Sequence, residues 1–222
     1  HPSLRAPTML MAFAGWADAA EGATGALKYL VHKLPAKPFA SIDPEEFYSF
    51  TRARPVTRID EQGQRELIWP LSGFYYWDSG EQEQDLLIFV GVEPNLKWRT
   101  YSHLVFDVAQ EQGVKQVITL GALLDAVPHT RGVPVRGRST DPALHEKLGG
   151  GKPRGSGYQG PAGISTVVAQ LFQAQNVPYG SIFGHSPRYL QVSHFPKVSL
   201  SVLAKLGEVL NMEFDLEELE EL

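Results

Sequence analysis

A near-continuous apolar run falls at residues 8–13 and a shorter, β-branched one at 117–120, and residues 85–90 and 179–183 read as further strands. Continuous apolar runs of this length predict strands buried on both faces. Each is followed by a short polar loop and a stretch with apolar positions at helical spacing. Residues 19–34 place Ala20, Ala23, Leu27, Leu30, Val31 and Leu34 on one face, and Pro35 ends the helix. Residues 95–112 form a second helix, with Leu96, Leu104, Val105 and Val108 inward and Gly113 at its end. Residues 164–175 and 196–210 give two more. Residues 39–42 read as a further strand. Asp43-Pro44-Glu45-Glu46 reads as a helix start, and Asp141-Pro142 as another. Residues 56–60 and 65–69 flank Glu61-Gln62-Gly63-Gln64 as an inserted hairpin.

The stretch that organises this pattern is 115–131. Its strand is stopped by Gly121, and the loop beyond carries Asp125, Pro128, His129, Thr130 and Arg131. A short extended piece is expected at 133–135. After the strand at 179–183 comes a loop with His185, Ser186, Pro187, Arg188 and Tyr189. The alternation of strand, loop and helix predicts an α/β fold, and the hairpin makes the sheet mixed. No repeat or linker divides the chain. One α/β domain is expected over residues 1–222, with 212–222 as a short acidic amphipathic tail docked on it.

Composition narrows the function. A net charge of -5 argues against a phosphate-backbone partner, so no nucleic acid is expected. The absence of cysteine removes thiol catalysis, thiolate metal sites and disulfides, and fits a cytoplasmic protein. No apolar run approaches the ~20 residues of a membrane span, so no membrane partner is expected. The seven histidines include no H-E-x-x-H or H-x-H spacing, so no metal is expected. Gly155 to Gly160 spells G-x-G-x-x-G, but it has no strand directly before it and no acid about 20 residues on. It reads as a glycine loop, and no cofactor is expected. Neither Ser156 nor Ser186 lies in a nucleophile elbow. Trp16, Asp18, Asp43, Glu93, His129, His185 and Arg131 remain as polar or aromatic groups on loops at strand ends, where open α/β sheets bind ligands.

Several pieces together resemble the proteasome assembly chaperone 2 family. They are Gly15-Trp16-Ala17-Asp18-Ala19, Asp43-Pro44-Glu45-Glu46 with Arg54-Pro55, Gly91-Val92-Glu93-Pro94 with Trp98, Pro128-His129-Thr130-Arg131, Tyr158-Gln159-Gly160-Pro161-Ala162-Gly163-Ile164, and Pro187 with Tyr189. Gly132, Ala162 and Arg188 depart from the family's usual proline, threonine and histidine. The resemblance implies a three-layer α/β fold of the phosphorylase/hydrolase-like kind. It also implies a self-associating, non-catalytic protein that acts as a binding or assembly module, with a possible protein partner. The candidate ligand or partner residues are then Trp16, Asp18, Asp43, Glu93, His129, Thr130, Arg131, Gly160, His185 and Tyr189. The alternative is a phosphorylase- or hydrolase-like enzyme, or an ATP-grasp-like ligase, acting on a small molecule at the same edge. The chain as given ends Glu220-Glu221-Leu222, without the hydrophobic-Tyr-x tail of some assembly chaperones.

Overall fold

The computed structural model describes residues 2–80, 84–150, 159–190 and 192–221. Its frame is a seven-stranded mixed sheet in the order β2-β5-β6-β1-β7-β9-β8. The strands are β1 (Thr8–Ala14), β2 (Lys37–Ile42), β5 (Ser72–Trp77), β6 (Leu86–Val92), β7 (Gln116–Asp125), β8 (Val135–Ser139) and β9 (Tyr179–Pro187). The central four, β6, β1, β7 and β9, run parallel, and β5 and β8 turn antiparallel on either side. A separate two-stranded ribbon, β3 (Val56–Ile59) and β4 (Arg65–Ile68), is the expected hairpin.

The period-2 geometry of a strand divides each apolar run between two layers. Along β1, Leu10 and Ala12 enter one core, and Met9, Met11 and Phe13 the other. The first core is closed by α1 (Gly22–Lys33), α3 (Pro142–Lys147), α5 (Pro196–Leu210) and Leu219 of α6 (Glu217–Glu220). The second is closed by α2 (Trp98–Glu111), α4 (Ile164–Ala174), Phe47 and Tyr48. The result is the α/β fold with a mixed sheet that the pattern predicts, in the three-layer arrangement that the resemblance implies. The tail lies on the first core: Leu219 is buried, Phe214 and Leu216 are half-buried, and Lys33 pairs with Asp215 and Glu218.

Several local expectations are corrected. Gly121 does not stop its strand, because β7 runs through it to Asp125. A Cβ there would stand 2.1 Å from the Phe183 ring, so this glycine serves close packing against β9. Likewise β9 continues through His185 to Pro187, and the extended piece expected at 133–135 is instead β8, starting at Val135. Asp43-Pro44 starts only a turn. The Asp43 carboxylate accepts the Glu45 N–H at 2.8 Å, but the Phe47 carbonyl, which a helix would use, accepts the N–H groups of Asn95 and Leu96 instead. Helix α2 begins at Trp98 rather than 95, and it buries Tyr101, Val105, Phe106 and Ala109 while Leu96 and Leu104 are exposed.

Candidate functional site

The parallel strands end together along one edge, and each loop that leaves them carries polar groups. Glu93 follows β6 directly, and its own N–H donates to the Ala14 carbonyl at 2.8 Å, extending the β1–β6 register by one step. Its carboxylate is held between two loops. Oε1 accepts the Ile164 N–H at 2.9 Å, and Oε2 accepts the Trp16 N–H at 3.4 Å. Ile164 opens α4, whose N-terminal partial charge favours an anion. Gly15 and Gly163 make the space: a Cβ at either would sit 3.0 to 3.2 Å from Glu93 atoms. Gly15 also has φ of 136°, a conformation a side chain rarely allows. The remaining cavity, lined by Phe13, Trp16, Ala17, Glu93, Leu120 and Ile164 among others, has a volume of about 10 Å³. That is room for about one water.

Asp18 lies one turn further along. It is buried, and Oδ1 accepts the N–H groups of Ala23 at 2.8 Å and Thr24 at 3.1 Å, while Oδ2 is bonded to the Thr24 hydroxyl. Burial pushes its carboxyl above the ordinary value, against the pull of the Thr24 and Ala23 donors. Asp18 therefore ties down the start of α1, reaching it across a kink in which Ala20 and Glu21 take positive φ.

Two further pairs cross from β7 to β9. His185 Nδ1 lies 2.9 Å from Asp125 Oδ2. The Ala126 N–H, with the His185 ring and the Arg136 charge, holds the Asp125 carboxyl below its ordinary value. Beyond them, Tyr189 OH accepts the His129 N–H at 2.8 Å and meets His129 Nδ1 at 2.7 Å. Lys197, opening α5, donates to the His129 carbonyl at 3.1 Å.

The sequence-derived candidates thus resolve into Glu93 with Trp16, Asp125 with His185, and His129 with Tyr189. No hydrogen bond joins these sets among the described residues, and no group of three or more His, Asp or Glu there could hold a metal ion. Asp18 is taken up by helix capping. Asp43 stands at the end of β2, separated from β1 by β5 and β6. Thr130, Arg131 and Gly160 are exposed. Residues 155–158 of the glycine string lie outside the described residues.

Sequence reasoning missed the backbone donor at Ile164, the Lys197 contact and the exposed apolar rim. Leu123, Leu124, Tyr189 and Trp16 are 41%, 63%, 54% and 59% exposed at this edge. Only the unsuspected extension of β7 past Gly121 brings Leu123 and Leu124 there. A buried relay of hydroxyls went equally unread: Ser72 bonds both Tyr48 and Tyr101, and Tyr48 donates to the Val92 carbonyl at 2.7 Å. It ties the segment after β2 to the end of β6.

A family model described as the PAC2 family matches residues 12–222. The crystal structure of a PAC2 family protein from Streptomyces avermitilis is similar to this chain at 34% identity and a TM-score of 0.87, over 97% of this chain and 90% of that one. A proteasome-assembly chaperone homologue of Mycobacterium tuberculosis is 32% identical with a TM-score of 0.85, over 96% and 89% of the two chains. An archaeal proteasome activator from Pyrococcus furiosus shares the fold, with a TM-score of 0.76 at 22% identity over 100% and 90%. No curated protein matches.

Proposed function

The chain belongs to the PAC2 family, and from that premise we propose that it is a non-catalytic, self-associating protein-binding module that acts like an assembly chaperone. The observation that carries this reading is the state of the strand-end crevice. The Glu93 carboxylate is occupied by two N–H groups of its own chain, and the cavity beside it is about 10 Å³. Small-molecule sites are typically about 300–1,000 Å³. Meanwhile Trp16, Leu124 and Tyr189 face solvent at the rim, as a protein-docking surface requires. In this reading the protein works in the cytoplasm. Its first candidate partners are proteasome subunits, since a relative 32% identical is a proteasome-assembly chaperone homologue.

The test has two arms. The purified chain, incubated with nucleosides, esters and ATP, turns none of them over, and turnover abolished by His129→Ala or His185→Ala would overturn the non-catalytic reading. Leu124→Asp with Tyr189→Asp, both at exposed positions, abolishes binding to proteasome subunits of the same organism without altering the circular dichroism spectrum. Unchanged binding would move the docking surface elsewhere. The alternative, an enzyme at the same edge, is favoured only by the Asp125–His185 pair, a carboxylate orienting an imidazole. No hydroxyl bonds that ring among the described residues.

A further inference from the structure

Two surface features lie outside the site, and each lacks what the other has. The first is the β3–β4 ribbon. Every residue of both strands is exposed, including Val56, Ile59, Leu67 and Ile68, and Trp69 and Leu71 continue the apolar surface. A lone two-stranded hairpin is marginally stable in water. The pairing Thr57↔Leu67 and Ile59↔Arg65 places Ile59, Leu67 and Arg65 on one face. Arg52, Arg54, Arg58 and Arg65 are all exposed, and no ion pair holds any of them among the described residues.

The second feature is the tail. Residues 213–221 hold Glu213, Asp215, Glu217, Glu218, Glu220 and Glu221, with no Lys or Arg. Lys33 bridges Asp215 and Glu218, which leaves Glu213, Glu217, Glu220 and Glu221 without an ion pair among the described residues. Half-buried Phe214 and Leu216 line an open depression with Asp215, Glu217 and Glu220, about 500 Å³ in volume. An apolar floor inside an acidic rim therefore matches a ribbon face of Thr57, Ile59, Leu67 and Arg65, whose one charge is that arginine; Arg58 and Glu66 lie together on the opposite face. The two surfaces cannot be each other's partner within one molecule as folded, because the ribbon stands exposed between β2 and β5 while the tail packs on α1 and α5.

We infer that the β3–β4 ribbon of one copy seats its Ile59–Arg65–Leu67 face in the Phe214–Leu216 depression of a second copy. This rests on the self-association proposed above and specifies its interface. The contact joins two different patches, so it forms a reciprocal two-fold dimer, a closed ring or an open chain. Its charge complementarity makes it dependent on salt.

Analytical ultracentrifugation of the full chain over a range of concentrations tests it. The wild type associates, and 0.5 M NaCl weakens the association by about tenfold or more. Arg54→Glu with Arg65→Glu weakens it at low salt, as does Glu217→Arg with Glu220→Arg, and mixing the two variants restores association because their charges are again opposite. All four substitutions lie at exposed positions, so an unchanged circular dichroism spectrum accompanies each loss. If the wild type associates and the two variants do so equally well, this interface is wrong while the self-association reading stands. If the variants fail and their mixture does not recover, the ribbon's seat is not the tail. A wild type that is monomeric at every concentration overturns both.

Discussion

At the scale of single residues, carboxylates in this fold serve as anchors, and Asp85 shows the cost of removing one. It is 1% exposed, accepts the Arg5 N–H at 2.6 Å and the Ser79 N–H at 3.0 Å, and lies 3.6 Å from the Arg5 guanidinium. Burial raises its carboxyl, but these donors and the charge outweigh it and hold the value below the ordinary 3.8. Since the folded value lies below the unfolded one, the stabilisation is present above 3.8 and is lost as the pH falls through the folded value. Asp85→Asn should lower the unfolding free energy by about 2 kcal/mol at pH 7. In urea titrations the gap to wild type should narrow as the pH falls below 3.8 and through the lower folded value. A gap independent of pH would show that the carboxylate's charge is not what matters. Glu93 and Asp18 are anchors too, each accepting backbone N–H groups at an element's start. Their residue types and loop positions were legible in the sequence. Their partners, Ile164 and Ala23–Thr24, were not, because backbone donors leave no trace in residue identity.

At the scale of elements, close approach decides what the hydrophobic pattern cannot. The run 117–120 correctly predicted a central strand, but its end was misplaced. Glycine inside a strand is a stop by propensity, yet here it admits the Phe183 ring from β9. Gly121→Val should therefore destabilise by about 3 kcal/mol through overpacking. Gly132→Ala, where an added Cβ meets nothing within 4 Å, should stay within ~0.5 kcal/mol of wild type. Equal effects in thermal melts would mean that Gly121 acts through backbone freedom alone. The false helix start at Asp43-Pro44 has a similar origin. The local caps are sound, but Phe47 and Tyr48 are drawn into the second core and the Phe47 carbonyl is claimed by the loop after β6.

At the scale of the whole molecule, the two cores flank one sheet, and the ribbon belongs to neither. Hydrogen exchange on dilute monomer should reflect this. The amides of residues 56–68 should exchange orders of magnitude faster than those of β1, β6 and β7, which open only with the global transition. A ribbon protected as well as β1 would mean that it packs on its own chain. What the sequence determined by itself is what repeats locally: the apolar runs, the helical faces, the caps of α3, the hairpin turn, and with them an α/β fold with a mixed sheet. What only the tertiary structure decided is how side chains meet across distant segments. It separated Glu93, Asp125–His185 and His129–Tyr189 into three sets, spent Asp18 on a helix start, and pushed Leu123 and Leu124 out to the rim. The physical reason is that periodicity and capping act over a few residues, where the chain itself sets the geometry. Contacts such as Glu93 with Ile164 join positions 71 apart, and only the packing of the sheet brings them together.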